Sequence, residues 1–415
     1  MEKFTKWLSE PPKYTTFRIN RLSPFNCDIL KNFLSIQAAE LNTSTLPNFY
    51  LLTSDCLVLE RWPEEYTNVN ATKTVIVDSL CAAAVLRGAN VFAPGVMGFP
   101  VDCKLNDVVE IYGDLSGHCK RGLKVEYSGE KLFVGTGTVK MLRNDLYNKG
   151  IQPSGIAVKT IMPASRLPVI NEQIYPDGII VLQNLPSIVC GWVVDARPNE
   201  YILDMCAAPG NKTTHLAEMA NDKAVIIALD KTSQKVEKIK ENCIKQGVTC
   251  VRAYTFDSTK CSSNESIGRD FSPPYYPNSF DKVLLDAPCS GLGQRPMLKN
   301  KITPKMLESY KFVQRKLMSM AVEVLKVGGR LVYSTCTVTV DENEGMVQWA
   351  LQKFPCLKLI SAHPLHGGPG LAGCGLNDEQ RFMVQRFSPE VDPLREAEPI
   401  YRDTIGFFIA AFTKI

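Results

Sequence analysis

The chain has 415 residues, 45% of them hydrophobic and 22% charged, with a formal net charge of +4 at pH 7. It is long enough for two or three domains and a large core, and its composition is that of a soluble globular protein. The small positive charge permits a polyanionic partner without requiring one.

Neither export nor membrane insertion is expected. The start, MEKFTKWLSEPPKY, lacks the apolar core of a signal peptide. Gln183, Asn184 and Pro186 break the best apolar run well short of the roughly 20 residues that span a bilayer. The 14 cysteines are scattered, with no CxxC pair, so no metal site and no dithiol motif is expected. They read as free thiols of a reducing, cytoplasmic setting, most of them small buried hydrophobes.

Residues 1–72 predict a strand over PPKYTTFRIN, which alternates around Tyr14, Phe17 and Ile19. A helix over CDILKNFLSIQAAEL and strands over LPNFYLLT and LVLERW follow, making an α+β segment. Composition changes at about Lys73. VIVDSLCAAAVLRGA predicts a helix stopped by Gly88. Short β segments then alternate with glycines in NVFAPGV, DVVEIYGD, KVEY and KLFVGTGTV, the pattern of a small barrel. Between two of them the loop Gly117–Gly122 carries Lys120 and Arg121, which either solvate a turn or contact phosphates. On RGANVFAPGV, VVEIYGDLSG and FVGTG, residues 73–160 resemble the PUA domain, an RNA-binding pseudo-barrel. Residues 161–190 return to an α+β pattern, and IVLQNLPSIVCGWVVDARPNE ends in a helix and a proline turn. If the barrel is an insertion, residues 1–72 and 150–190 pack together as one unit.

From Tyr201 the pattern becomes regular. YILDMC, AVIIALD, CVRAYTFD and FDKVLLD are apolar strands, each closing on an aspartate: Asp204, Asp230, Asp257 and Asp286. Helical stretches KTTHLAEMA and QKVEKIKENCIKQG lie between the first three. This alternation predicts a parallel sheet with helices on both faces over residues 191–415. LESYKFVQRKLMSMAVEVLKVGG predicts a long helix, RLVYSTC a strand, DENEGMVQWALQKF a helix and DTIGFFIAAFTKI a closing strand.

Two places carry chemistry. In DMCAAPGNKTTHLAEMA a strand runs through small residues into a helix, so backbone can approach a ligand and helix N–H groups can face an anion. GxGxxG and GxxxxGK[ST] are both absent, which argues against NAD and ATP. The loop suits the carboxylate end of S-adenosylmethionine, with Asp230 placed for ribose hydroxyls and Asp257 near an adenine edge; any one such aspartate could equally be a helix cap. DAPCSG and STC are the second place. Cytosine C5 attacks a methyl donor only after a thiolate adds at C6, a carboxyl group near N3 supports that addition, and the C5 proton must then leave. Two cysteines and one aspartate match those tasks in number and type.

DMCAAPGNKTTH, LDAPCSGLG and YSTCTVT resemble the NOL1/NOP2/Sun family of RNA cytosine-5 methyltransferases, over roughly residues 180–415. Weaker similarity in PPKYTTFRIN extends the likeness to the N-terminus. The resemblance implies a Rossmann-like α/β methyltransferase domain and an N-terminal α+β, RRM-like region interrupted by the PUA-like barrel. It implies that Cys336 is the nucleophile, that Cys289 assists release and that Asp286 acts at N3. The donor site would comprise Cys206, Ala207, Ala208, Pro209, Gly210, Asn211, Lys212, Asp230, Asp257 and Asp286. The branch with a PUA-like insert implies a transfer-RNA substrate, modified near the 3′ end of the acceptor stem with its CCA end held by the barrel, and a monomeric enzyme. Ribosomal RNA as substrate, or a non-catalytic RNA-binding role on the same fold, remain the alternatives.

Asn211 stands where the family has a second glycine, and asparagine tolerates the positive φ such a position could need. Ser272-Pro273-Pro274-Tyr275 spells an amino-methyltransferase signature but precedes the fourth strand rather than following it, and reads as a loop. His215, His363 and His366 lack zinc-like spacing and read as surface or structural residues. Lysines in 299–305 and 235–245 read as solvated faces, some within reach of phosphates.

Overall fold

The computed structural model describes residues 2–63, 71, 73–148, 150, 152–170, 178–264, 271–393 and 399–415. Helix α1 (Glu2–Ser9) leads into strand β1 (Tyr14–Ile19), helix α2 (Cys27–Glu40) and strands β2 (Phe49–Thr53) and β3 (Cys56–Glu60). Asn26 caps α2 by accepting from the Asp28 amide.

Residues 73–163 form a six-stranded sheet: β4 (Lys73–Val77), β5 (Val91–Phe92), β6 (Val96–Gly98), β7 (Val108–Asp114), β8 (Lys131–Val139) and β9 (Ile156–Pro163), in the order β5-β9-β8-β7-β4-β6. The two edge strands β5 and β6 are consecutive in the chain, joined by the turn Ala93–Gly95, so the sheet must curl on itself. The helix expected over VIVDSLCAAAVLRGA is shorter than its sequence pattern. Val75-Ile76-Val77 belongs to β4, and Asp78 caps α3 (Ser79–Leu86) by accepting from Leu80 and Cys81 N–H. The β-branched run favours a strand, and helix begins only where a cap permits. KVEY is no strand: Lys124, Val125 and Glu126 lie exposed, and Tyr127 turns its hydroxyl to Asp114. A short helix α4 (Arg143–Tyr147) follows β8.

The chain then returns to the first sheet. Strand β10 (Ile180–Leu182) pairs antiparallel with β1, Phe17 opposite Leu182, completing the order β10-β1-β3-β2. The limits expected at residues 160 and 190 fall inside β9 and inside helix α5 (Leu185–Val194). Apolar on nearly every face, α5 packs whole against the next sheet instead of ending at a domain edge.

That sheet contains β11 (Tyr201–Asp204), β12 (Val225–Asp230), β13 (Val251–Thr255), β14 (Phe280–Asp286), β15 (Leu325–Thr335), β16 (Leu357–Ile360), β17 (Gln385–Phe387) and β18 (Phe407–Lys414). The order is β13-β12-β11-β14-β15-β18-β16, with β17 also on β18, and β18 runs antiparallel to β15. Helices α6 (Asn211–Met219), α7 (Ser233–Lys245), α8 (Pro304–Val324), α9 (Glu344–Lys353) and the short α10 (Asp378–Arg381) complete the chain. Alternate strand residues serve opposite cores. Ile202, Ile226, Leu284 and Val332 pack with α5, α6 and α7. Leu203, Ile227, Leu285 and Tyr333 pack with α8 and α9. Burial on both faces explains why these strands read as continuous apolar runs. The long helix ends at Val324, not at Gly329, because Leu325 and the glycine turn after it enter β15. The sequence reading missed β16 and β17. Among the described residues no helix is long and apolar enough to cross a membrane.

Candidate active site

Strand order reverses between β11 and β14, and at such a switch point the carboxyl ends of the strands leave a crevice. Asp204 ends β11, Asp230 ends β12, Asp286 ends β14 and Thr335 ends β15. Asp257 lies two residues beyond β13, where it caps the turn Ser258–Lys260.

The loop after β11 is held by its backbone. Ala207 N–H donates to Leu229 O at 2.9 Å and Gly210 N–H to Ala207 O at 2.7 Å. Asn242 Nδ2 grips Pro209 O at 2.7 Å. Gly210 has φ +106° and sits at the N-cap of α6, which no side chain caps. The left-handed conformation thus falls on Gly210 and not on Asn211, the first residue of the helix, so this departure from the family loop costs no backbone strain. An uncapped helix start beside a small-residue loop leaves N–H groups open to an anion, and these residues fit a donor carboxylate.

The neighbouring aspartates differ. Asp204 is fully buried and accepts from Thr213 Oγ1 at 2.8 Å. Burial pushes its carboxyl up to about 7 against the opposing hydrogen bonds from Thr213 and the Cys206 backbone. Asp230 accepts from Lys231 N–H at 2.7 Å and Ala208 N–H at 3.3 Å, and Lys235 Nζ lies 3.4 Å away. Asp257 is more open, and the Thr259 hydroxyl at 2.7 Å holds its carboxyl below the usual range. Cys206 is an inert member of the loop, its thiol pushed well above the ordinary value by burial.

Asp286 engages both oxygens: Lys212 Nζ donates to Oδ2 at 2.7 Å and Ser334 Oγ to Oδ1 at 2.7 Å. Burial is the largest single influence on Lys212 and opposes its charge, but Asp286 together with the Cys190 and Cys336 thiols raises the ammonium above its ordinary pKa. Lys212 also lies 5.4 Å over the Phe407 ring. Beside this pair the two cysteines meet, Cys289 Sγ 3.4 Å from Cys336 Sγ. They share one hydrogen bond unequally. Contact with Cys289, helped by Gln294, lowers the Cys336 thiol despite its burial, whereas contact with Cys336 and burial raise Cys289. One hydrogen bond joins the two thiols, so whichever sulfur ionises is held by the S–H of the other.

Glu342, buried between the two cysteine loops, sets their spacing. It accepts from Ser290 N–H at 2.9 Å, Ser290 Oγ at 2.6 Å, Gln314 Nε2 at 3.0 Å and Thr339 Oγ1 at 2.8 Å. Ser290 and Thr337, each next to a cysteine, share a 2.8 Å hydroxyl contact. Sequence reasoning missed Glu342, Gln294 and Ser334, whose only signal is nearness to a motif, and Phe407, which lies near none.

The remaining candidates lie elsewhere. Lys120 is exposed. The Arg121 guanidinium donates to Pro94 O at 2.8 Å and Val96 O at 3.3 Å, so it braces the barrel loop. Lys299 Nζ reaches Ser116 O of that loop at 3.2 Å. Tyr275 of the SPPY loop packs edge-on against Phe280, on the α8 side of the sheet. His215 is buried, its ring held neutral with a pKa lowered to about 4 by burial, and His366 stacks on Tyr401 at 4.5 Å.

Residues 192–413 match the family described as 16S rRNA methyltransferase RsmB/F. The tRNA (cytosine(72)-C(5))-methyltransferase NSUN6 of Mus musculus is 41% identical across 98% of this chain and 88% of its own. Its Homo sapiens counterpart is 40% identical across 100% and 91%. The crystal structure of NSun6 from Pyrococcus horikoshii with SFG, an S-adenosylmethionine analogue, covers 100% of this chain and 94% of its own, at TM-score 0.74 and 30% identity.

Proposed function

The chain belongs to the RsmB/F, or Sun, family of RNA cytosine-5 methyltransferases, and from that premise we propose that it methylates C5 of a transfer-RNA cytosine near the 3′ end of the acceptor stem, the counterpart of cytosine 72 in its relatives. S-adenosylmethionine supplies the methyl group. The observation that carries the reading is the 3.4 Å pair of thiols beside the Lys212–Asp286 ion pair.

Cys336 adds to C6 as the thiolate, its proton passing to Asp286, so that a C–S bond forms and C5 becomes electron-rich. Asp286, oriented by Lys212 and Ser334, hands that proton to N3 and so neutralises the negative charge that addition places there. After C5 has gained its methyl group, loss of the C5 proton lets the C–S bond break and returns the pair to Cys336. Cys289, adjacent to Cys336, assists that release by taking the C5 proton in its thiolate form. The open N–H groups of α6 with Cys206–Lys212 take the donor carboxylate, Asp230 the ribose and Asp257 the adenine edge.

The α+β unit of residues 1–72 and 161–190 is read as RRM-like and residues 73–160 as PUA-like, holding the CCA end. Lys120 is exposed in a loop that Lys299 ties to the segment following Cys289, so one RNA could span both. A monomer in the cytoplasm suffices for this chemistry, and it calls for no metal.

The test is to incubate wild type, Cys289→Ala and Cys336→Ala with transfer RNA and donor and look for a denaturant-resistant protein–RNA adduct. Cys289→Ala should accumulate it and Cys336→Ala should form none. The reverse pattern would exchange the two roles, and active wild type that never forms an adduct would remove the covalent mechanism. Mapping the methylated base in transfer and ribosomal RNA decides the substrate.

A further inference from the structure

Arg18 has no solvent exposure, although it lies in a strand of the N-terminal sheet. Phe17 and Ile19 on either side belong to the core beneath that sheet. Alternation along the strand turns Arg18 the other way, and its side-chain hydrogen-bond partners among the described residues lie on or just beyond helices of the methyltransferase sheet. Nη1 donates to the carbonyl of Asn211, in the first turn of α6. Nη2 donates to Thr214 Oγ1 at 2.9 Å and to Gln246 Oε1, just past α7, at 2.6 Å. Glu218 Oε1, also fully buried, lies 3.0 Å from Nη2. The Thr214 hydroxyl in turn donates to Gly210 O at 3.1 Å. One guanidinium therefore connects the N-terminal sheet to both helices that flank the loop Cys206–Lys212. Asn20 adds a second strap, its Nδ2 donating to Gln246 O at 2.8 Å.

Space-filling does not account for this. An apolar pair of the same volume would occupy the seam without desolvating two charges. What only a planar fork provides is direction: it fixes several acceptors on two helices at set angles.

We infer that Arg18 is a positioning residue for the methyl donor, locking Gly210, Asn211 and the first turn of α6 so that the helix N–H groups and Lys212 keep their binding geometry. The inference rests on Cys206–Lys212 being the donor site. It makes the N-terminal sheet part of the donor site's support as well as a partner in RNA binding, although no residue of that sheet need touch the donor.

Calorimetric binding of S-adenosylmethionine to the full-length protein tests it, with transfer-RNA affinity and thermal melting measured alongside. Arg18→Lys keeps a cation beside Glu218 but loses the fork. The pair Arg18→Met with Glu218→Leu removes both charges and refills the volume. Both should weaken donor binding on the order of tenfold, the loss of one hydrogen bond from a charged donor, while RNA affinity stays within about twofold. The apolar pair should also melt at or above the Arg18→Lys temperature, which separates positioning from stability. Wild-type donor affinity in either folded variant would overturn the inference, and so would equal losses for donor and RNA. Asp230→Ala is the control on the premise: if it binds donor normally, the donor-site reading itself fails, whatever the Arg18 variants do.

Discussion

Glu342 touches neither cysteine, yet it is the group on which their separation depends. Its two oxygens receive four hydrogen bonds, two from Ser290 next to Cys289, one from Thr339 beyond Cys336 and one from Gln314 of α8. Replacing it with alanine leaves the Ser290 N–H without a buried acceptor. Gln314 Nε2 keeps only its bond to Pro288 O at 3.0 Å. The hydroxyls of Ser290 and Thr339 can turn elsewhere, and Ser290 already has Thr337. One or two orphaned donors at about 1–3 kcal/mol each place the stability loss at about 1–6 kcal/mol. Glu342→Gln keeps one acceptor oxygen and should cost about 1–2 kcal/mol, the difference between charged and neutral hydrogen bonds. The more telling effect is on chemistry. Freed from Glu342, the Cys289 loop no longer holds its thiol against Cys336, and a displacement near 1 Å is enough to cost on the order of 100-fold in rate. Urea unfolding measures the first quantity. The rate of RNA-adduct formation, in Cys289→Ala with and without Glu342→Gln, measures whether Cys336 is displaced as well. If Glu342→Ala is destabilised as expected but methylates at the wild-type rate, Glu342 supports the fold alone and the argument about thiol spacing is wrong.

Two further outcomes follow from the same geometry. Because contact with Cys289 is the largest influence lowering the Cys336 thiol, wild-type methylation should rise with pH around a half-point below the free-thiol value of about 8.5; adduct formation by Cys289→Ala should show its half-point at higher pH, and unchanged profiles would refute the shared hydrogen bond. Arg295 anchors α1, donating from Nε to Trp7 O at 2.7 Å and from Nη1 to Asp403 Oδ1 and Thr404 O at 2.8 Å, with Trp7 stacked 4.5 Å away. Arg295→Ala strands those buried acceptors, so it should cost about 3 kcal/mol and open residues 2–9 to limited proteolysis; an unchanged cleavage pattern would show that α1 holds by its apolar face alone.

Much of the molecule could be read before folding because its signals are local. The four strands that lead to Asp204, Asp230, Asp257 and Asp286, the small-residue loop and the two cysteine motifs are patterns within ten or so residues, and strands buried on both faces display themselves as apolar runs. Boundaries were less legible. Val75-Ile76-Val77 and Leu325–Gly329 each adjoin a helical stretch, and only the neighbouring strands β7 and β14 recruited them into sheets. The roles of single polar residues were least legible of all. Nothing in FRIN distinguishes Arg18 from a solvated cation, and nothing in TVDENEG marks Glu342 as the acceptor for four groups. Their partners lie some 190 and 50 residues away in the chain.

The residue types needed for cytosine-5 chemistry and the alternation that builds their sheet were therefore settled by the sequence itself, since propensity and periodicity act over a few residues. That Cys289 and Cys336 lie 3.4 Å apart, and that a buried arginine from another sheet bonds the start of α6, was decided by tertiary structure. Distances between residues far apart in the chain, and the desolvation that shifts a thiol, exist only once the chain has closed on itself.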